Sequence, residues 1–511
     1  MLVSILPKGE VRNVLERCVG MNKGIRVRLA TAKTFRLIIA VILSVLAGQT
    51  FQADAQTETN LYSFIGPPTD GANPYAGLVQ GSDGNFYGTT EYAGSTNCLY
   101  GCGTVFRINP GGSYTNLYSF VGSPTDGAYP GAGLMQGSDG NFYGTTFVGG
   151  TNNLGIVFRI SPGGSYTTLY SFVGSPTDGA YPGAGLVQGS DGNFYGTTFD
   201  GGTNNLGIVF RISPGGSYTN LYSFAGSPTD GANPYAGLAQ GSDGNFYGTT
   251  EHGGTGTNCY AGCGTVFRIS PSGSYTTLYS FAGSPGDGAY PRAGLVQGSD
   301  GNFYGTTVSG GANNFGTVFR INPGGSYTNL CSFAGPPGDG AYPGAGLVQG
   351  SDGNFYGTTF NGGTNNLGIV FQISLGGSYT NLCSFAGPPG DGAVPGAGLV
   401  QGSDGNFYGT TSYGGIGGSG TVFRLSVPLS PPPYPINQIT GFQLSVTNVV
   451  FNIPSIAGET YQLQFTTDLT SGLWSNLPGV SVTNSIGSVL TLTNFGGASQ
   501  SQGFYRFLIT P

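Results

Sequence analysis

Charge is scarce in this chain: only 8% of its 511 residues are Asp, Glu, Lys or Arg. Every lysine precedes Gln56, and beyond Ala55 eight arginines face twenty acidic residues, a balance of about −12 (8 − 20). An acidic surface without lysine cannot neutralise phosphates or adhere to an anionic membrane by charge, so nucleic acid is not an expected partner. Histidine occurs once, at His252. There is no GxSxG motif, no Cys–His pairing and no zinc-ligand spacing, so the familiar signatures of nucleophilic and metal-assisted hydrolysis are missing. No apolar run reaches the roughly 20 residues that a membrane-spanning helix needs.

Glycine and aromatic residues are abundant instead: 97 Gly, with Phe, Tyr and Trp making up 13%. A disordered chain would be poor in aromatic and β-branched residues. Here Phe, Tyr, Val, Ile, Leu and Thr recur in register with the glycines, as expected of many short strands joined by tight turns.

The stretch GSDGNFYGTT at Gly81 returns at Gly137, Gly189, Gly241, Gly298, Gly350 and Gly402, with starts 56, 52, 52, 57, 52 and 52 residues apart. A fixed period of this size marks a repeat architecture. In the second unit, Ala132–Gln136 is a short apolar segment, 138–141 a hairpin turn, and Phe142–Thr146 the returning strand. Ile156–Ile160 is a third strand, Pro162–Ser165 a second turn and Tyr166–Phe172 a fourth strand. Four antiparallel strands per unit make a propeller blade, and seven units predict an all-β, seven-bladed β-propeller. The chain opens with a lone fourth-strand motif, Thr59–Phe64, and its last unit stops at Val422–Leu425 with none. The first motif is therefore expected to complete the last blade and remove an exposed edge. A β-solenoid is the alternative.

Residues 1–55 read as a secretory leader. Lys23, Arg26, Arg28, Lys33 and Arg36 form a basic region, Leu37–Gly48 an apolar run of twelve, and Ala53-Asp54-Ala55 a small-residue cleavage site. Met21 offers a second start, from which the leader has ordinary length. The mature protein is expected to be secreted or held at the cell surface, and monomeric. The propeller is assigned to 56–426, a Pro-rich linker to 427–440 and a small β-sandwich to 441–511, with strands at Phe442–Thr447, Val449–Ile453, Thr460–Thr466, Val489–Asn494 and Phe504–Ile509. Trp474 is read as core.

Cys98 and Cys102, and Cys259 and Cys263, lie in the insertions that lengthen two repeats. Local disulfides are expected, with metal binding by each thiol pair as the rival. Cys331 and Cys383 replace the Tyr of LYSF in adjacent repeats, too far apart for a bridge, and read as small core residues.

The unit AGLxQGSDGNFYGTTxxGG…GTVFRIxPGGSYTxLYSF resembles the GloVer tandem repeat of secreted Gloeobacter and Verrucomicrobia proteins, from Thr59 to Leu425. That resemblance implies an exported, propeller-like protein of unestablished activity. The rhythm is similar, more loosely, to NHL and virginiamycin B lyase-type propellers. Tyr461–Leu469, Trp474 and Phe504-Tyr505-Arg506 resemble a fibronectin type III-like terminal module.

In a propeller the GSDGN and PGGS turns share one face, and here they scarcely vary. The second-to-third loops and inter-blade loops share the other and carry nearly all the variation, so recognition is expected there. Tyr92, Tyr100, Phe147, Phe199, Tyr260, Phe360 and Tyr413 lie there among Asn, Thr and Gly, a palette suited to stacking and hydrogen-bonding carbohydrate. Padding against the next blade is the other reading. Asp70, Asp126, Asp178, Asp230, Asp287, Asp339 and Asp391, one per inter-blade loop, are candidate Ca²⁺ ligands or caps of their own Pro-x-Asp-Gly turns. No other cofactor is expected.

Catalysis would need residues the repeats do not share, and Glu91, Glu251, His252 and Asp200 are the candidates. Glu91 and Glu251 face each other across the ring, wider than the about 5–9.5 Å between glycosidase carboxylates. A lyase of the virginiamycin type would use His252 with acidic partners and Mg²⁺. The leading expectation is a non-catalytic recognition or scaffold module for glycan or extracellular protein. A polysaccharide lyase or hydrolase and a purely structural surface protein are the alternatives.

Overall fold

The computed structural model describes residues 3–4, 57–67, 70–427 and six later strands. Residues 57–427 form seven four-stranded antiparallel sheets in a ring, a β-propeller without helices among the described residues. In the second blade the order is Met135–Gln136, Phe142–Thr146, Ile156–Ile160 and Tyr166–Ser171. Only two residues of the apolar first segment pair, and a register shift between Val157 and Phe158 bends the third strand against the fourth.

Each FYGTT strand is buried along its whole length because the neighbouring blade covers it. This explains the glycine in its middle: a Cβ on Gly144 would lie 2.6 Å from the Phe158 ring and 2.8 Å from Leu134. The apolar cores lie between blades, as where Tyr87, Val105 and Phe120 of the first meet Leu134, Phe142 and Phe158 of the second. Each fully buried Phe contributes about 1.5–3 kcal/mol.

Three circles of contacts tie the blades together. Tyr87 stacks on Phe142 with centroids 4.0 Å apart, and the series ends with Tyr408 on Phe86 at 4.1 Å. Ser82 N donates to Gln136 Oε1 at 2.9 Å while Gln136 Nε2 donates to Ser82 Oγ at 3.2 Å; the last members are Ser403 and Gln80, at 2.9 and 3.3 Å. Thr89 Oγ1 donates to Ala132 O at 3.2 Å, and Thr410 to Ala76 O at 3.0 Å. All three circles run from the seventh blade back to the first.

The closing strand is the expected one. Thr57–Ser63 pairs antiparallel with Thr421–Ser426, from Thr57 opposite Ser426 to Ser63 opposite Thr421. Phe64, fully buried, enters a cluster with Phe106, Tyr408 and Val422. The inter-blade loops contain regular structure that the sequence does not announce. Gly71–Ala72 pairs with Tyr92–Ala93, and every blade repeats this two-stranded ribbon.

The C-terminal strands form two sheets in a second compact unit. One joins Gly441–Leu444, Val449–Pro454 and Val489–Asn494; the other joins Phe504–Thr510, Thr460–Thr466 and Ser475–Thr483. Ser475–Thr483 escapes the sequence reading because Pro478-Gly479 interrupts its alternation. Val3–Ser4, inside the expected leader, pairs with Phe504 and Tyr505. The rest of the leader, the linker from 428 to 440 and Trp474 lie outside the described residues. No helix among the described residues is long and apolar enough to cross a membrane.

Candidate functional site

The ribbons join each inter-blade loop to the following second-to-third loop, so the variable segments occupy one face. On the opposite face the aspartate of the GSDGN turn is satisfied within its own blade. Asp83 accepts from Asn85 N at 3.1 Å, Asn85 Nδ2 at 2.8 Å and the Tyr87 hydroxyl at 2.8 Å. Burial alone would raise its pKa, but these donors outweigh it and hold the carboxyl below its ordinary value.

The inter-blade aspartates are turned into their own loops. Asp126 accepts from the Tyr118 hydroxyl at 2.8 Å, Tyr166 hydroxyl at 2.5 Å, Val121 N at 3.0 Å and Gly127 N at 2.7 Å. Asp70 accepts from the Tyr62 hydroxyl and the Gly66 N–H, while Asp178, Asp230 and Asp287, like Asp126, accept from the tyrosine eight residues earlier and from the N–H of the glycine that follows. Asp339 and Asp391 keep the backbone donors, while half-buried free Cys331 and Cys383 stand where the first tyrosine would be. This is the capping geometry of a turn aspartate. Among the described residues no three His, Cys, Asp or Glu side chains gather as a metal site.

The structure divides the seven aromatic candidates. Tyr92, Tyr100 and Tyr413 line one cleft of about 620 Å³ at the seam between the first and seventh blades, with Asn73, Thr96 and Ser419. Tyr100 is 64% exposed and Tyr413 52%. The Cys98–Cys102 disulfide staples the loop that carries Tyr100, and Cys259–Cys263 staples its counterpart on the fourth blade, where Tyr260 is exposed. The remaining three pack against neighbours: Phe147 on Tyr181 at 5.2 Å, Phe199 edge-on to Tyr235 at 6.0 Å, and Phe360 on Tyr75 at 6.0 Å.

Tyr75, Tyr235 and Arg292 escape the sequence reading, though a signal for them exists. The x of each xAGL motif is Tyr75, Gly131, Gly183, Tyr235, Arg292, Gly344 or Gly396, a varying letter beside an invariant strand. The next glycines, such as Gly77 and Gly133, line the central shaft, so x stands at its entrance on the variable side. Burial raises the pKa of the Tyr235 phenol; Arg292 pulls it down, and the charges of Glu91 and Glu251 push it further up.

Glu251 is buried, and its Oε1 accepts from Arg292 Nε at 2.9 Å and Nη2 at 2.5 Å, with His252 Nε2 3.8 Å away. A carboxylate so engaged is held as an ion-pair partner rather than presented to a ligand. Glu91 lies half-buried, its carboxyl raised by burial and partly relieved by a hydrogen bond from Tyr92. Asp200 is likewise raised by burial and relieved by Asn233, whose Nδ2 lies 3.2 Å from it. Glu91, Glu251, His252 and Asp200 thus do not assemble into one hydrogen-bonded constellation.

Residues 46–190, 176–350 and 255–431 each match the family described as the Gloeobacter/Verrucomicrobia repeat. A comparison with curated proteins found no match. Among solved structures, an extracellular domain from B. thetaiotaomicron is 11% identical, with a TM-score of 0.45 over 87% of this chain and 55% of its own. The chain thus spans about half the length of that protein. The BP39L lectin from Burkholderia pseudomallei is 12% identical, with a TM-score of 0.42 over 71% of this chain and 97% of its own. Puromycin hydrolase is 15% identical, with a TM-score of 0.44 over 78% and 62%.

Proposed function

We propose, for a chain that belongs to the Gloeobacter/Verrucomicrobia repeat family and closes seven blades into one ring, that it is an exported, non-catalytic recognition module holding a glycan in the seam cleft. The convergence of Tyr92, Tyr100 and Tyr413 on one cavity carries this reading. Its volume falls within the roughly 300–1,000 Å³ of small-ligand sites. Tyrosine rings can stack on the C–H faces of a sugar, while Asn73, Thr96 and Ser419 can meet its hydroxyls. The ring beneath is rigid, so little ordering opposes binding. Two disulfides in loops of this face suit an oxidising compartment. The Arg292 pairing of Glu251 weighs against acid–base chemistry there.

A glycan array probed with the mature chain tests the reading. Binding should fall at least about tenfold in Tyr100→Ala and in Tyr413→Ala, the loss of one stacked ring, with thermal stability unchanged. Absence of any glycan binding, or binding indifferent to both changes, would remove its basis.

A further inference from the structure

The first and fourth blades carry the same unusual set of residues. Asn73-Pro74-Tyr75 matches Asn233-Pro234-Tyr235, Glu91 matches Glu251, and each blade has a stapled loop. The local backbone matches too. Glu91 N donates to Asn73 O at 2.9 Å and Glu251 N to Asn233 O at 3.1 Å. Tyr129 and Tyr290, from the next blades, have φ of 57° and 58° and donate to Cys102 O and Cys263 O, both at 2.9 Å. Tyr92 meets Tyr129 edge-on at 5.6 Å, and His252 meets Tyr290 edge-on at 5.4 Å.

One difference stands out between the two places. The blade after Glu251 supplies Arg292, and the blade after Glu91 supplies Gly131 at the same position. A Cβ on Gly131 would meet nothing within 4 Å, so the first carbon of a side chain at this position would stand in open space. Glu91 has no ion pair among the described residues, and Tyr92 is its hydrogen-bonding neighbour. A half-buried carboxylate without a cation is costly, and the protein's own second copy shows which group satisfies it. Tyr92 and Asn73 touch Glu91 and also line the seam cleft, so a ligand in the cleft lies beside the gap. The acidic mature chain draws cationic polymers toward it.

We infer that Glu91, with Tyr92, Tyr129 and the space above Gly131, forms a subsite for the ammonium group of an amino-bearing glycan. The inference rests on the glycan reading of the seam cleft and adds the charge that the ligand must carry. The ammonium takes the place that the Arg292 guanidinium holds against Glu251.

Calorimetric titration of the mature chain near neutral pH, with a β-1,4-linked glucosamine oligomer and its N-acetylated counterpart, tests it. The amine form should bind about tenfold more tightly, the worth of a charge-assisted hydrogen bond. Glu91→Gln should remove that preference and leave binding of the N-acetylated form intact. Gly131→Arg should do the same by filling the subsite from within the chain, and its open Cβ position allows the fold to be kept. Equal affinity for the two oligomers, or a preference that survives both substitutions, overturns the subsite and leaves the glycan reading standing. If neither oligomer binds, the subsite proposal falls, and the glycan array decides whether the broader reading falls with it. Tighter binding of an arginine-rich peptide, lost in both variants, would overturn the glycan assignment in favour of a protein partner.

Discussion

The junction between the sixth and seventh blades should make the ring sensitive to pH. At five of the other six junctions two stacked tyrosines bracket the inter-blade aspartate, as Tyr118 and Tyr166 bracket Asp126, and at Asp339 the first of them is Cys331. Here Cys383 and Glu58 take those positions around Asp391. Burial, then the charge of Asp391 and a hydrogen bond with it, push the Glu58 carboxyl from 4.5 up to about 7. The Cys383 thiol, pushed up to about 12 by burial and by both carboxylates, stays neutral throughout. The folded pKa of Glu58 lies above its unfolded value, so the folded state holds this proton more tightly. Its contribution is complete below pH 4.5 and is lost as pH rises through 7. That difference is worth about 3 kcal/mol, and solvent screening at this partly open edge reduces it to about 2 kcal/mol. Glu58→Gln keeps the shape and removes the titration. In thermal unfolding across this range, wild type should lose about 2–3 °C relative to Glu58→Gln once above pH 7. Parallel curves for the two proteins would refute the reasoning.

Two further outcomes follow from packing and cross-linking. Gly409→Ala sets a Cβ 2.6 Å from the Phe423 ring and 2.8 Å from Leu399, and should cost about 1–3 kcal/mol in urea unfolding, whereas Gly131→Ala should be near neutral. Reducing Cys98–Cys102 and Cys259–Cys263 should remove about 2 kcal/mol of restraint from each loop, speeding amide exchange across 95–103 and 256–264. Protection of Phe86–Thr90 should not change; if it falls in step, the loops are part of the core after all.

The ring was legible because its determinants are local and repeated. Seven copies of GSDGNFYGTT count the blades, and the displaced LYSF motif at Thr59–Phe64 announces the closure. What stayed hidden depends on contacts between blades. Tyr75, Tyr235 and Arg292 sit in a motif whose other letters are scaffold, and only the geometry of the shaft turns that one letter toward the variable face. The inter-blade aspartates read first as turn caps and second as ion ligands, and one donor that engages Asp126, the Tyr166 hydroxyl, comes from the neighbouring blade, 40 residues away, where sequence spacing does not reveal it. Phe147, Phe199 and Phe360 share the loop position of Glu91 and Glu251, one residue before that of Tyr92, and pack on Tyr181, Tyr235 and Tyr75.

The pairing of Thr57–Ser63 with Thr421–Ser426 also dictates an order of events. The segment made early in translation finds its partner only after every other repeat has been made. Until then both the nascent first ribbon and the unfinished seventh sheet expose unsatisfied amides, an invitation to pair with other chains. Loop-closure entropy grows only slowly with length, so the wait burdens the kinetics far more than the final stability.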